Sequence, residues 1–158
     1  MQTVQEFDSF YRGHLHLIQK YLARRVRFEN VEELSSEVFD IAFRKMSQAK
    51  AGFELPWLYR IAGFVVANHR RKLQRETNLL ANLTGPDTST SAEQLALAEI
   101  ELAEAWKKLK PAERSALSLA AFEGLNVAEI ALALGVSKNA VNIRLHKART
   151  ELAKHLDL

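Results

Sequence analysis

The residues with the clearest chemical pattern lie in the stretch NVAEIALALGVSKNAVNIRLHKART, from Asn126 to Thr150. Its first third carries almost no charge, whereas its later part holds Lys138, Arg144, Lys147 and Arg149 with no acidic residue between them. Cations concentrated on one segment attract polyanions, although solvated surface charge is the plainer explanation for any single cluster. Their placement on a helix decides between these two interpretations.

The segment from Ser137 to Lys154 separates into two faces when it is placed on a helical wheel. The apolar face would pack on the preceding helices and holds Val141, Leu145, Ala148 and Leu152. The opposite, polar face holds Asn139, Ile143, His146 and Thr150, flanked by Asn142 and Lys147. A short helix, a turn that contains Gly135 and a second helix with a polar outer face match helix-turn-helix spacing.

A helix with this polar face fits the major groove of DNA, whose base edges offer partners for Asn, His and Lys side chains. Lys138, Arg144 and Arg149 would lie at the margins of the groove, where the phosphates run. A basic amphipathic helix that only closes a helical bundle is the alternative. The turn chemistry and the missing acids favour DNA binding.

A second basic helix is predicted within PWLYRIAGFVVANHRRKLQR, from Pro56 to Arg75. The residues predicted to be buried are Leu58, Ile61, Ala62, Val65, His69 and Leu73, with His69 as a core histidine. The opposite face holds Arg60, Phe64, Arg71 and Arg75. An aromatic ring among arginines suits single-stranded or melted DNA, because bases stack on rings while guanidinium groups hold the backbone. A solvated charged face with one exposed Phe is the alternative.

The helix before it is predicted to be acidic on its exposed side. The sequence VEELSSEVFDIAFRK would turn Val31, Leu34, Val38, Ala42 and Met46 inward. It would present Glu33, Ser36, Glu37 and Asp40 away from this buried face, with Phe39 and Phe43 semi-exposed. Acidic and aromatic side chains on a basic domain suit docking to a protein with a basic surface, and ordinary solvent-exposed charge is the alternative.

These elements belong to an all-α chain, because only three prolines and six glycines interrupt a sequence rich in helix formers. Helices are predicted near residues 4–25, 31–47 and 57–75, and TNLLANLTGPDTSTS, residues 77–91, has the composition of a flexible linker. Residues 76–104 hold six acidic and no basic residues, whereas residues 1–75 hold 13 basic against 8 acidic and residues 105–158 hold 9 against 5. The pattern predicts two small basic helical domains joined by an acidic connector.

Local signals predict where the later helices begin and end. A capping box of Ser91 and Gln94 would begin a helix that runs to about residue 108. Pro111 would open the next helix, and Gly124 would end it in a left-handed conformation. The last two helices would be capped by Asn126 with Glu129 and by Ser137.

Composition excludes several classes of function. The chain has 158 residues and no cysteine, which excludes disulfides, thiol catalysis and thiolate metal sites. No apolar run approaches the ~20 residues that a membrane span needs, and the amino terminus lacks a signal pattern, so we expect a cytoplasmic protein. No carboxylate pair, nucleophile–base set, P-loop or metal-ligand spacing stands out, and we therefore expect no catalytic residue, no metal and no cofactor.

Five motifs resemble, in their order along the chain, the extracytoplasmic-function family of bacterial sigma factors. They are LARRV, EELSSEVFDIAFRK, PWLYRIA, RRKLQR and LKPAERSALSLAAFEGLNVAEIALALGVSKNAVNIRLHKARTEL. The similarity covers nearly the whole chain outside the linker. It implies a region-2 domain at residues 1–76, an acidic linker at 77–92 and a region-4 domain at 93–158. It also implies binding to core RNA polymerase, through the clamp of the largest subunit and the flap of the second largest, to promoter DNA and to an anti-sigma factor.

The resemblance also implies roles for individual residues. The implied polymerase-binding positions are Glu33, Ser36, Glu37, Phe39 and Asp40, with Ser36 where a Gln is common. The implied −10 positions are Arg60, Phe64, Asn68, Arg70, Arg71 and Arg75, with Phe64 where many relatives have Asn. The implied −35 positions are Lys138, Asn139, Asn142, Ile143, Arg144, His146, Lys147 and Arg149. Asn142 and Ile143 replace a more usual basic residue and Ser, and we expect Ile143 to contact a thymine methyl group.

Two other functions stay open on the residues alone. A stand-alone helix-turn-helix transcriptional regulator would explain residues 111–154, but it would leave the helix at 57–75 and the acidic helix without a role. A helical module that only binds other proteins would leave both basic faces without a role.

Overall fold

The computed structural model describes residues 1–79 and 100–156, and these residues form seven α-helices, one 3-10 helix and no strand. The first half contains α1 (Val4–Ala23), α2 (Phe28–Arg44), the 3-10 helix (Met46–Gln48) and α3 (Glu54–Leu79). The second half contains α4 (Ile100–Lys107), α5 (Pro111–Ala121), α6 (Val127–Leu134) and α7 (Lys138–Leu156). The expected all-α fold is confirmed.

The first half is organised around α2, which packs against both α1 and α3. The inward positions predicted on α2 are buried at Val31, Leu34, Val38 and Ala42. Ile18 and Leu22 of α1 and Leu58 of α3 are fully buried beside them. The 3.6-residue spacing of apolar residues therefore predicts the packed faces of this half.

The second half is organised around α7, which packs against α4, α5 and α6. Val141, Leu145 and Ala148 are buried, as the helical wheel predicts. Because these three residues hold one face of α7 against the other helices, the opposite face is left at the surface.

The caps predicted for the last two helices are present. The Asn126 side chain accepts a hydrogen bond from the Glu129 N–H, and the Glu129 side chain accepts one from the Asn126 N–H, each at 2.9 Å. The Ser137 hydroxyl accepts from the Ala140 N–H at 3.1 Å and begins α7. Gly135 ends α6 with φ 68°, in the left-handed region where glycine avoids the strain of a side chain.

Several helix ends differ from the predicted positions. Gly124 is left-handed as predicted, with φ 69°, but α5 already ends at Ala121, so this glycine shapes the turn that follows. α3 continues to Leu79, which is three residues into the predicted linker. The rest of that linker, and the capping box of Ser91 and Gln94, lie outside the described residues.

One position of the buried stripe predicted on α3 is wrong. Leu73 is 41% exposed, because residues 71–76 are exposed on every side and this part of α3 projects from the core. The stripe is buried at Leu58, Ile61, Ala62 and Val65. His69 is half-buried with its Nε2 atom inside the fold, which agrees with its prediction as a core residue.

The two halves of the chain contact each other, which the sequence pattern did not predict. α6 packs against α3, and buried apolar residues from both halves form one continuous core. A charged contact joins the end of α1 to the turn after α5, where the Glu123 carboxylate lies 2.5 Å from Arg25 Nη1 and 3.6 Å from Arg24 Nη1. The side chains of Arg25 and Glu123 are only 8% and 1% exposed. The halves therefore meet through both apolar packing and a buried ion pair.

Two tyrosines line this charged contact. The rings of Tyr21 and Tyr59 lie 5.2 Å apart, and both residues are buried. Burial, followed by the nearby Glu123 carboxylate, raises the pKa of Tyr59 to about 12, against the opposing effect of Arg25. Burial also raises the pKa of Tyr21.

We expect the neutral Tyr59 hydroxyl to make the fold sensitive to alkaline pH. The folded pKa of about 12 exceeds the ordinary value of 10.0. The stabilisation that comes from the neutral Tyr59 hydroxyl is therefore fully present below pH 10 and is lost as pH rises through 12. The free energy of unfolding, measured with urea from pH 8 to about pH 11, should fall more steeply in the wild type than in Tyr59→Phe. Tyr11→Phe removes a surface hydroxyl and serves as the control. Equal slopes in the wild type and Tyr59→Phe would contradict this assignment.

We expect Gly135→Ala to destabilise the protein by about 1–2 kcal/mol, because an L side chain is strained in the left-handed conformation. A Cβ atom there would also lie 2.8 Å from Arg60 Nη1, so the guanidinium group would have to move. The matched control is Gly13→Ala in the interior of α1, where nothing lies within 4 Å of the added Cβ. This control should stabilise the protein by about 0.5–1 kcal/mol. Urea unfolding measures both changes, and a stabilised Gly135→Ala variant would refute the reason given for this glycine.

Candidate nucleic-acid interface

The outer face of α7 carries the predicted DNA-contacting side chains. Those that are exposed are Lys138, Asn139, Asn142, Ile143, His146, Lys147 and Arg149, whereas Arg144 is half-buried. The Ser137 cap fixes where this helix begins, and its buried face fixes how it is rotated. The structure therefore brings all eight predicted residues to one accessible helix at the end of a helix-turn-helix.

Over its first three turns, α7 carries basic side chains and no acidic ones. No acidic residue occurs in its first turn, and the first acidic residue of the helix is Glu151, which lies 3.3 Å from His155 Nε2. The amino terminus of a helix adds partial positive charge from its unpaired N–H groups. Both effects favour an anionic ligand at the start of α7.

Ile143 is an apolar side chain on this otherwise polar face. It is 46% exposed, between Asn142 and Arg144. An exposed branched aliphatic group among hydrogen-bonding side chains can contact a thymine methyl, which is the apolar feature of the major groove. The exposure of Ile143 is compatible with that contact, which stays a prediction.

The exposed side of α3 forms a continuous strip. Its members recur at three- to four-residue spacing, which places them on one face of the helix: Arg60, Phe64, Asn68, Arg71 and Arg75. From Arg60 to Arg75 the strip is about 22 Å long at 1.5 Å per residue. Its carboxyl-terminal part borders a groove of about 480 Å³ lined by Asn68, Arg71, Gln74, Arg75 and Asn78. Phe64, which is 62% exposed, offers a ring for base stacking beside these cations.

Two predicted members of this set also contact the protein itself. Arg70 lies off the strip, and its Nη2 donates a hydrogen bond to the Arg25 carbonyl at 3.1 Å. The Arg60 guanidinium lies 5.7 Å from the centre of the Phe64 ring and packs directly against Gly135 of the helix-turn-helix turn. The amino-terminal end of the α3 strip therefore adjoins the turn that precedes α7.

The acidic face predicted on α2 is present, with one correction. Glu33, Ser36, Glu37 and Asp40 are exposed, but Phe39 is 4% exposed and is not the semi-exposed residue that was predicted. Its ring packs edge-on against Tyr11 of α1, with 4.8 Å between the ring centres.

The error at Phe39 has a physical cause. α2 contacts helices on two sides, so its buried face is wider than the single predicted stripe and includes Ser35 and Phe39, which are four residues apart. Phe43, four residues further along, is 42% exposed. The exposed aromatic residue next to the acidic face is therefore Phe43.

No group of three or more His, Cys, Asp or Glu side chains able to hold a metal ion occurs within residues 1–79 and 100–156. In the same part of the chain, no helix is both long enough and apolar enough to cross a bilayer.

Comparison with known proteins shows similarity to RNA polymerase sigma factors. Residues 99–152 match the family profile described as Sigma-70, region 4. The chain is 29% identical over 164 residues to RNA polymerase sigma factor YlaC of Bacillus subtilis (strain 168), and the alignment covers 99% of this chain and 95% of that protein. It is 27% identical over 158 residues to ECF RNA polymerase sigma factor BldN of Streptomyces coelicolor, with 95% of this chain and 60% of that protein covered.

A solved structure shows the same fold. The sigma factor RpoE, crystallised with the anti-sigma factor NepR from Bartonella quintana, superimposes with a TM-score of 0.71 at 18% identity. The superposition covers 98% of this chain and 99% of that one. The profile match, the alignment with nearly all of YlaC and the motif order agree: residues 99–152 match Sigma-70 region 4, and the whole chain is similar to bacterial RNA polymerase sigma factors, including one of the extracytoplasmic-function family.

Proposed function

We propose that this chain is an extracytoplasmic-function sigma factor, which binds core RNA polymerase and selects promoters by reading the −35 element with α7 and the −10 element with α3. The observation that carries the proposal is the outer face of α7, where hydrogen-bonding, apolar and cationic side chains are all exposed with no acid among them. A face of this composition can read base edges and neutralise phosphates from one helix. In this proposal residues 93–158 form the −35 domain and residues 1–76 form the −10 domain, connected by residues 77–92.

α7 reads the −35 element in the major groove. Asn142, Ile143 and His146 face the base edges, while Lys138 and Arg149 contact phosphates on either side. Arg144 is half-buried at the margin of this face, where it contacts the DNA backbone and positions the helix. Phosphate contacts set the register, and the three central side chains set sequence preference.

α3 holds the −10 element after it is melted. Arg71 and Arg75 lie beside the groove at the carboxyl-terminal part of the strip, where they neutralise the backbone of the displaced strand. Phe64 stacks on an unpaired base, and Asn68 offers hydrogen bonds to its edge. The segment at 47–55, immediately before α3, captures an extruded base, whose unstacking costs a few kcal/mol.

α2 docks on the polymerase. Glu33, Glu37 and Asp40 form an exposed acidic face that fits a basic surface on the clamp of the largest subunit, and Ser36 and Phe43 complete this face. Phe39 supports it from inside the fold rather than by direct contact. The −35 domain docks on the flap of the second largest subunit. An anti-sigma factor is a further proposed partner, because the structurally similar RpoE was crystallised with one.

Run-off transcription with purified core polymerase tests the function directly. With this protein, new start sites should appear over a promoter library randomised at −35 and −10. If none appears at low or moderate salt, the proposed function fails.

The same assay tests the specificity of α7. The double variant Asn142→Arg with Ile143→Ser should change the preferred −35 bases and leave the −10 preference as in the wild type. The reason is that both side chains face the −35 element only. Each base contact is worth about 1–3 kcal/mol of discrimination, roughly 5- to 150-fold. Lys154→Gln, which removes an exposed charge from the same helix outside the proposed contacts, is the control. A uniform loss across all sequences would show that Asn142 and Ile143 support only phosphate contact or folding.

Binding to core polymerase without DNA tests the α2 face. Glu37→Lys should weaken binding by about tenfold or more, because it places like charge against a basic surface. Glu104→Lys makes the same charge change at an exposed position of α4 and should leave the affinity within about twofold of the wild type. Fluorescence anisotropy of labelled protein titrated with core polymerase measures both affinities. Equal losses of affinity in the two variants would show a general effect of charge and would contradict docking through the α2 face.

A further inference from the structure

We propose that the turn between α4 and α5 is a further DNA-contacting surface, on which Lys107, Lys108 and Lys110 bind backbone phosphates beside the site that α7 reads. We call these three residues the lysine corner. The position of the DNA in this proposal rests on the proposed function, because α7 sets where the duplex lies. The cationic surface itself stands on the residues and contacts of the second half alone.

The lysine corner is exposed on a turn with a fixed shape. Lys107 ends α4, Lys108 follows it and Lys110 directly precedes α5, and all three residues are exposed. Trp106 and Leu109 of the same turn are only 5% and 3% exposed, so they anchor it in the core. The Leu109 N–H donates a hydrogen bond to the Trp106 carbonyl at 3.1 Å. Because the residues between them are buried, the three lysines project together into solvent.

Acidic residues do not neutralise the lysine corner. Within the described residues 1–79 and 100–156, none of its lysines forms an ion pair with a carboxylate. Glu104, one turn earlier on α4, is exposed, whereas Glu113 in the first turn of α5 is only 7% exposed. Three like charges within four positions repel one another, and a polyanion that binds there relieves this repulsion.

Lys110 occupies a position that helix formation does not favour. It is the N-cap residue of α5, where Ser, Thr, Asn or Asp is preferred, and its side chain makes no capping hydrogen bond. The amino end of a helix carries partial positive charge, so a lysine there is electrostatically unfavourable. Lys107 and Lys108 lie at the carboxyl end of α4, where cations stabilise a helix, and this is their plain structural explanation. Lys110 has no such explanation, and residues that break a local rule are expected at functional sites.

The packing of the second half connects the lysine corner to α7. Both helices that meet at the corner, α4 and α5, pack on α7, and the axes of packed helices lie about 8–10 Å apart. A duplex that takes α7 into its major groove carries its two phosphate backbones past both ends of that helix. Lysines on the supporting helices meet these backbones rather than the base edges that α7 covers. We therefore expect the lysine corner to add affinity for duplex DNA without sequence preference.

The salt dependence of duplex binding by the full chain tests this proposal. The probe is a fluorescein-labelled duplex of mixed sequence, about 20 base pairs long, whose anisotropy is measured at about 20–150 mM NaCl. The salt slope is the fall of log affinity per unit of log salt concentration, and each phosphate contact contributes about 0.9 to it. The triple variant Lys107→Gln, Lys108→Gln and Lys110→Gln should therefore have a salt slope lower than that of the wild type by about 2–3.

Two further variants separate the position of the charge from its amount. Lys20→Gln with Lys45→Gln and Lys154→Gln also removes three exposed lysines, and it should lower the salt slope by less than about 0.5. Ala112→Lys adds a cation at an exposed position of the first turn of α5 and should raise the salt slope by about 0.9. Because a rise in salt slope does not result from misfolding, this variant keeps the test decisive if the triple variant loses stability.

The possible results separate the lysine corner from the proposed function. A loss of salt slope no larger than in the Lys20, Lys45 and Lys154 control would overturn the proposal, as would no binding of the duplex by the wild type at about 20 mM salt. A loss seen with single-stranded RNA but not with duplex DNA would also overturn it, because the partner would then be RNA.

A variant of α7 tests the proposed function in the same assay. Lys138→Gln with Lys147→Gln and Arg149→Gln should lower the salt slope by about 2–3, because these residues belong to the proposed DNA-reading face. If the α7 variant keeps the wild-type slope while the variant of the lysine corner loses its share, phosphate binding by the corner is supported and the proposed function of α7 fails.

Discussion

The described arrangement depends on the contact between the two halves of the chain, where α6 packs on α3 beside the buried ion pair of Arg25 and Glu123. A carboxylate and a guanidinium group leave water here together, and each would be a costly unpaired charge without the other. Their pairing fixes the end of α1 against the turn after α5. α6 follows that turn directly and packs on α3, and Gly135 at its end lies against the Arg60 guanidinium group. The position of both proposed DNA surfaces follows from this arrangement.

Features governed by residues a few positions apart could be predicted from the sequence. The capping box of Asn126 and Glu129, the Ser137 cap and the left-handed Gly135 each depend on contacts within about four residues. The buried stripes of α2 and α7 follow from helical periodicity in the same way. The exposed face of α7 was therefore predictable once its buried face was known.

Features that depend on distant parts of the chain could not be predicted. Arg25 and Ser118 are 93 positions apart, and Arg25 reads in the sequence as one more cation of the LARRV motif. Nothing local distinguishes it from Arg24 or Arg27. The burial of Phe39 depends on α1 covering a second side of α2, and the exposure of Leu73 depends on where the core ends along α3. Helical period gives the direction of a side chain but not the number of neighbours that its helix has.

The contact between the halves combines apolar packing with a buried ion pair. Arg25 and Glu123 leave water together, so the pair adds little net free energy of folding, whereas loss of either partner alone would leave a buried unpaired charge. The buried ion pair thus fixes one arrangement of the two halves, because either charge alone would be left unpaired inside the fold.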